Sequence, residues 1–206
     1  MRVLVLAKAP EPGRSKTRLQ QRWTAVQAAA LAEAALVDTL AAVQQVSAVH
    51  EVVLDGEPGA WLPPGFRVRA QVQGSHAARI AAALAPHTEP CLLIGMDTPQ
   101  VTPALLEEGL TALTSRDASF GRAEDGGWWA LGLRRPCEHF GLVLDVPTST
   151  PTTGLVQERA LLAAGLTVQA LPVLRDVDLP EDALHVAQLV PGSSFARALR
   201  GTERVA

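Results

Sequence analysis

Four cations, Lys8, Arg14, Lys16 and Arg18, stand close together in a segment that Pro10, Pro12 and Gly13 force to turn. Before it runs Val3-Leu4-Val5-Leu6-Ala7, an apolar stretch that reads as a buried strand, and after Thr17 the pattern becomes helical. In a strand–loop–helix unit the loop N–H groups and the helix N-terminus favour anions. Cations placed there oppose the helix dipole by about 0.3–1 kcal/mol each. Their clustering therefore points to a polyphosphate guest rather than to side chains that simply extend into water. Two familiar phosphate loops are excluded. A P-loop ending at Lys16-Thr17 needs glycine where Pro10 and Ser15 stand, and no G-x-G-x-x-G follows any strand.

Three acidic segments could serve the same chemistry. Asp97 follows the apolar run Cys91-Leu92-Leu93-Ile94, so it is expected at the carboxyl end of a central strand, where open α/β sheets bind ligands. One aspartate with phosphate oxygens and water is a usual Mg²⁺ arrangement; capping of the Asp97-Thr98-Pro99 turn is the other reading. In Arg175-Asp176-Val177-Asp178, extended alternation puts both aspartates on one face, as metal ligands or as caps for the helix that starts at Pro180. Glu124-Asp125-Gly126-Gly127 joins two strands. Asp-Gly is foremost a hairpin signal, although paired glycines also let backbone approach a ligand.

The elements that must hold these residues alternate along the chain. Strands are expected near 50–54, 66–72, 91–94, 118–121, 128–133 and 166–171. Helices are expected through 20–46, with a break near Trp23, and at 75–84, 102–113, 153–164, from Pro180, and at 194–199. Such an order predicts an α/β fold, a mainly parallel mixed sheet flanked by helices with at least one antiparallel strand, in one domain spanning 1–206. Net charge is only −3, which argues against a nucleic-acid surface. Cys91 and Cys137 show no zinc or disulfide spacing, and the five histidines form no metal or catalytic pattern. No membrane span or secretory leader is expected, which points to the cytoplasm.

Ala7-Lys8-Ala9-Pro10, Lys16-Thr17-Arg18-Leu19, Gly95-Met96-Asp97-Thr98-Pro99, Glu124-Asp125-Gly126-Gly127, Leu131-Gly132-Leu133 and Asp176-Val177-Asp178 with Pro180-Glu181-Asp182 together resemble one family. It is the glycosyltransferase-like family labelled radical-SAM/selenodomain-associated transferase 1. It is grouped with GT-A-type nucleotide-diphospho-sugar transferases and is similar to 2-phospholactate guanylyltransferases and molybdenum-cofactor nucleotidyltransferases. The resemblance implies a Rossmann-like GT-A domain. It also implies nucleotide contacts from Lys8, Ala9, Pro10, Gly13, Arg14, Lys16, Arg18, Gly74 and Arg79, a Mg²⁺ (or Mn²⁺) ion on Asp97 with Asp178 or Asp176, and an acceptor facing Asp125, Gly126 and Gly127. Gly74-Ser75-His76-Ala77-Ala78-Arg79-Ile80 departs from the family's Gly-Asp-Leu-Gly-x-Arg-Met, which bears on donor selection. Thr148-Ser149-Thr150 replaces its Trp-Ser-Thr, which bears on the acceptor pocket.

The expected reaction is transfer of a nucleotidyl group from a nucleoside triphosphate to a small phosphorylated or hydroxyl acceptor. Lys16, Arg18 and Asp97 would be its catalytic residues, since such chemistry needs charge stabilisation more than a protein nucleophile. Glycosyl transfer from a nucleotide-sugar, and nucleotide binding without turnover, are the alternatives.

Overall fold

The computed structural model describes residues 1–203. Strand β1 (Arg2–Lys8) enters the cation-rich loop, which closes in a 3₁₀ turn (Thr17–Gln21) before α1 (Ala25–Gln44). There follow β2 (Val49–Asp55), β3 (Arg67–Ala70), α2 (His76–Leu84), β4 (Cys91–Ile94), α3 (Pro103–Ala112), β5 (Ala118–Ala123) and β6 (Trp128–Leu133). A short α4 (Pro136–His139) and a second 3₁₀ turn (Phe140–Val143) lead to α5 (Thr153–Ala163), β7 (Val168–Leu174), α6 (Pro180–Leu189) and α7 (Ser194–Glu203).

The seven strands form one sheet in the order β3-β2-β1-β4-β6-β5-β7. Only β6 runs against the rest, pairing antiparallel with both β4 and β5. The carboxyl ends of β1, β4, β5 and β7 therefore share one edge of the sheet, and the tight β5–β6 turn lies there too.

Alternation sorts the core. Val3 and Val5 of β1 and Leu92 and Ile94 of β4 pack with α1 and α3 on one face. Leu4, Leu93 and Leu131 pack with Ile80 and Leu84 of α2 and Leu161 of α5 on the other. Each such side chain, fully buried, is worth about 1.5–3 kcal/mol. A third cluster unites Leu31 and Ala35 of α1 with Val186 of α6 and Phe195 and Leu199 of α7. Helix α1 is thus buried on two sides. It is long and apolar enough to cross a membrane by length and composition alone, but its Leu, Val and Ala side chains are spent on the sheet and on α7, as in a core helix.

Local signals explain the helix starts. Thr24 and Gln27 form a capping box at α1, Ser75 accepts from the Ala78 N–H at α2, and Thr102 caps α3 ahead of Pro103. Two short helical segments at 136–143 were not expected, and β7 runs to Leu174, past the expected end at residue 171. Pro172 would argue against a central strand, but β7 is an edge strand, where a missing N–H is tolerated.

At the opposite edge of the sheet, Arg2 and Arg69 both pair with the buried Glu51, at 2.7 and 2.8 Å, and Arg2 also reaches Glu89. Helix α7 is fastened differently. The Asp38 carboxylate of α1 accepts the Ser194 N–H at 2.9 Å and the Phe195 N–H at 2.7 Å, serving as a cap supplied from another helix. Asp38→Ala should therefore cost about 1–3 kcal/mol in urea unfolding, the scale of hydrogen bonds to a charged acceptor, with loss concentrated in α7 by amide exchange.

Candidate active site

Two loops from separated strands are joined at the shared edge. The Val177 N–H, in the segment after β7, donates to the Asp97 carbonyl beyond β4 at 2.8 Å, and Gln100 Nε2 donates to the Arg175 carbonyl. Val177 is buried while Asp176 and Asp178 on either side line the cleft, as extended alternation requires. Asp182 takes the capping role at α6, accepting the Leu179 N–H at 2.8 Å and the Asp178 N–H at 3.4 Å. The Asp178 side chain is left to face the loop after β1.

That loop delivers two cations to it. Lys16 Nζ lies 2.9 Å from Asp97 Oδ2 and 3.8 Å from Asp178 Oδ1, and Arg18 Nη1 donates to Asp178 Oδ2 at 2.5 Å. The loop is pinned from within by Ser15, whose buried hydroxyl donates to the Ala9 carbonyl at 2.7 Å and accepts the Glu11 N–H at 3.3 Å. Lys16 itself is left-handed, with φ 49° and ψ 46°. A non-glycine residue there carries strain that its surroundings must hold.

A cavity of about 730 Å³ opens beside this ionic cluster. Its lining combines an ionic set, Lys16, Arg18, Asp97, Asp176 and Asp178, with an apolar one, Leu6, Ile80, Leu93, Trp128 and Val143. Thr98, 2% exposed, lines it with a buried hydroxyl that has no hydrogen-bond partner. Burial, reinforced by Asp125, pushes the Asp176 carboxyl up to about 6. Burial also lowers the His76 imidazole, with Arg79 adding to the effect, so the ring at this wall favours its neutral form.

The β5–β6 turn and the segment before α5 form the remaining wall. A Cβ on Gly126 would collide with the Pro151 carbonyl oxygen, and one on Gly154 would collide with that of Gly127. The Gly154 N–H donates to the Gly126 carbonyl at 2.7 Å. These glycines serve the contact between two backbones as well as the turn itself, where Gly126 has φ 91°. Ser149 on this wall has φ 60°. Among the described residues, Lys16 and Ser149 are the two non-glycines with positive φ, and both line the cavity.

The structure brings Lys16, Arg18, Asp97, Asp125, Gly127, Asp176 and Asp178 to one cavity. Lys8, Arg14, Lys16 and Arg18 line a second of about 250 Å³, which shares Lys16, Arg18, Asp97 and Asp178 with the first. Ala9, Pro10, Gly13, Gly74, Arg79 and Gly126 line neither. Arg14 pairs with Glu11 at 2.7 Å, and Arg79 pairs with Asp55 at 3.1 Å. Among the described residues no three acidic, His or Cys side chains are grouped closely enough to hold a metal, so Asp176 does not complete a triad with Asp97 and Asp178. Sequence reasoning missed the bracket in which Arg175 pairs with Glu124 at 2.6 Å and approaches Asp182 at 3.7 Å. Nothing in the local pattern signals that tertiary contact.

Trp128 and Trp129 divide as strand alternation implies. Trp129 is buried and donates from its indole to the Pro172 carbonyl at 2.9 Å, while Trp128 is partly exposed at the cleft. Gly154→Ala should lower Tm by several degrees and perturb the 148–153 wall, because backbone, not a flexible side chain, opposes the added methyl; thermal unfolding with tryptophan fluorescence checks both.

No curated protein matches the sequence. Among solved structures, a protein of Desulfovibrio desulfuricans G20 provisionally assigned as a nucleotide-diphospho-sugar transferase aligns with TM-score 0.90 and 24% identity, over 98% of this chain and 95% of that one. The manganese complex of Rv0371c from Mycobacterium tuberculosis H37Rv aligns at 0.58 and 24%, over 91% and 97%. The 2-C-methyl-D-erythritol 4-phosphate cytidylyltransferase of Thermus thermophilus aligns at 0.58 and 17%, over 92% and 98%. These matches show a shared α/β, Rossmann-like fold. A family model described as "Uncharacterized protein conserved in bacteria (DUF2064)" covers residues 25–150, more than half of the chain, and the protein accordingly belongs to the DUF2064 family.

Proposed function

We propose that the protein is a divalent-metal-dependent, nucleotide-using transferase that moves a nucleotidyl group from a nucleoside triphosphate to a small acceptor. The observation that carries this reading is the convergence of Asp97 and Asp178, from two different strand ends, on one cation beside a ligand-sized cavity. The donor set fits a hard divalent ion: oxygen ligands from two tied loops, with room in the cavity for phosphate oxygens and water to complete a shell. Manganese in the Rv0371c complex and the cytidylyltransferase assignment of the Thermus protein support the same reading.

In this mechanism Asp97 and Asp178 would hold Mg²⁺ or Mn²⁺, which when bound would supply charge neutralisation at the phosphates. Lys16 and Arg18 take the charge that develops on the departing pyrophosphate. Lys8 and Arg14 extend the positive surface along the second cavity. The tied 97–100 and 175–178 loops fix the direction from which the donor is presented. The acceptor would lie against Asp125, Gly127 and the 148–151 wall, with Trp128 and the apolar lining residues beside it. No serine, cysteine or histidine nucleophile is required.

Glycosyl transfer from a nucleotide-sugar would use the same groups with a nucleoside diphosphate departing; the description of the Desulfovibrio protein favours it, and product identity separates the two. The test is thermal shift of wild type and Asp97→Asn against nucleoside triphosphates and nucleotide-sugars, with Mg²⁺ and with EDTA. A triphosphate at 100 times its Kd should stabilise by about 2.7 kcal/mol. The metal-dependent part of that shift should vanish in Asp97→Asn. A shift with nucleotide-sugars alone would redirect the assignment, and binding with no product would make the protein a nucleotide binder. Lys16→Ala should lower kcat by about 10²-fold or more, the scale of one preorganised donor, measured by pyrophosphate release.

A further inference from the structure

Asp97 and Asp178 are already neutralised by the protein. Their two negative charges meet the two positive charges of Lys16 and Arg18, and the Lys16 side chain, 12% exposed, touches both carboxylates from the position a shared cation would take. A divalent ion arriving alone must displace an ammonium from a partly dehydrated pair and adds two positive charges beside Lys16 and Arg18. A divalent ion arriving with a polyphosphate does not, because the anion gives Lys16 somewhere to go.

The geometry supplies that destination. Lys16 lines both cavities, which share Arg18, Asp97 and Asp178: the larger adds Asp125 and Asp176, and the smaller adds the cations Lys8 and Arg14 together with Thr17. Its flexible four-carbon stem can swing between them while the backbone stays in place. The backbone beneath is held left-handed in a loop pinned by Ser15, so the reorientation falls to the side chain.

We infer that Lys16 is a built-in counter-ion that bars a bare divalent cation from the Asp97–Asp178 pair and yields the site when a polyphosphate draws its ammonium into the neighbouring cavity. Metal and nucleotide then bind with positive coupling, and Lys16 performs two successive tasks, holding the carboxylates first and the phosphates afterwards. The inference rests on the nucleotide-and-metal reading above and goes beyond it by assigning an order of events.

The test uses Mn²⁺ alone as probe, titrated into the protein and followed by electron paramagnetic resonance. Lys16→Met keeps the stem and removes the charge; it should bind Mn²⁺ at least about tenfold more tightly than wild type, even as turnover falls. Adding Asp97→Asn should abolish the gain. Lys16→Arg keeps the charge and should show no gain. Thermal midpoints confirm that each variant is folded, and Lys16→Gln provides a second neutral side chain. Mn²⁺ affinity unchanged or weakened in both neutral variants would overturn the inference, as would equal tightening in Lys16→Arg. If that happens while the Mg²⁺-dependent triphosphate shift still requires Asp97, only the counter-ion role fails; if the triphosphate shift is also missing, the proposed function fails with it.

Discussion

The hydrogen bond from the Val177 N–H to the Asp97 carbonyl is the constraint on which the site depends. Strands β4 and β7 are separated by β6 and β5, three strand spacings or roughly 14 Å. Carboxylates at the ends of such distant strands do not meet unless the chain leaving β7 returns across the edge of the sheet. The Val177 bond closes that return, the Gln100 side chain seconds it at the Arg175 carbonyl, and Arg175 braces the outer side against Glu124 and Asp182. With the return fixed, alternation about Val177 turns Asp176 and Asp178 toward the cavity together. The reversed strand β6 contributes as well: it brings the β5–β6 turn to the edge where the parallel strands deliver their loops.

Charge is distributed unequally between the two ends of the sheet. At the far edge, the buried Arg2 and Glu51 pair with each other and the partly exposed Arg69 adds a second cation to Glu51, an arrangement whose loss would strand an uncompensated buried charge. At the cavity edge the acids are more open: the side chains of Asp97 and Asp178 are 38% and 31% exposed, against 6% for Glu51. Pairs formed by partly solvated groups are weaker and can be exchanged for other partners. One edge is therefore suited to holding the strands in place and the other to changing its ionic partners.

Periodicity made most of the fold legible. The continuous apolar run at 91–94 read as a central strand because both its faces are covered, and Asp97 was placed at its end by counting alone. Ser75 and Thr102 signal helix starts through side-chain chemistry that acts within three residues, whereas the capping box of Thr24 and Gln27 that starts α1 was not read from the sequence. The extent of β7 was less legible, since Pro172 is compatible with a strand only at an edge and edge position is a property of the whole sheet. That α1 is covered on a second side by α7 was not legible either, because that cover comes from a helix distant in sequence.

In the candidate site, residue types were legible but their partners were not. Lys16 and Asp178 are far apart in sequence, and no local rule pairs them. The glycine pair at 126–127 carried a hairpin signal that was correct as far as it went; its second reason, the approach of Pro151 and Gly154, is a contact between backbones distant in sequence. That contact has a mechanical consequence. With the Gly154 amide bonded to the Gly126 carbonyl and no space for a methyl at either position, the hairpin tip and the start of α5 cannot slide past one another. The two walls are therefore coupled, and this side of the mouth behaves as a single mechanical unit.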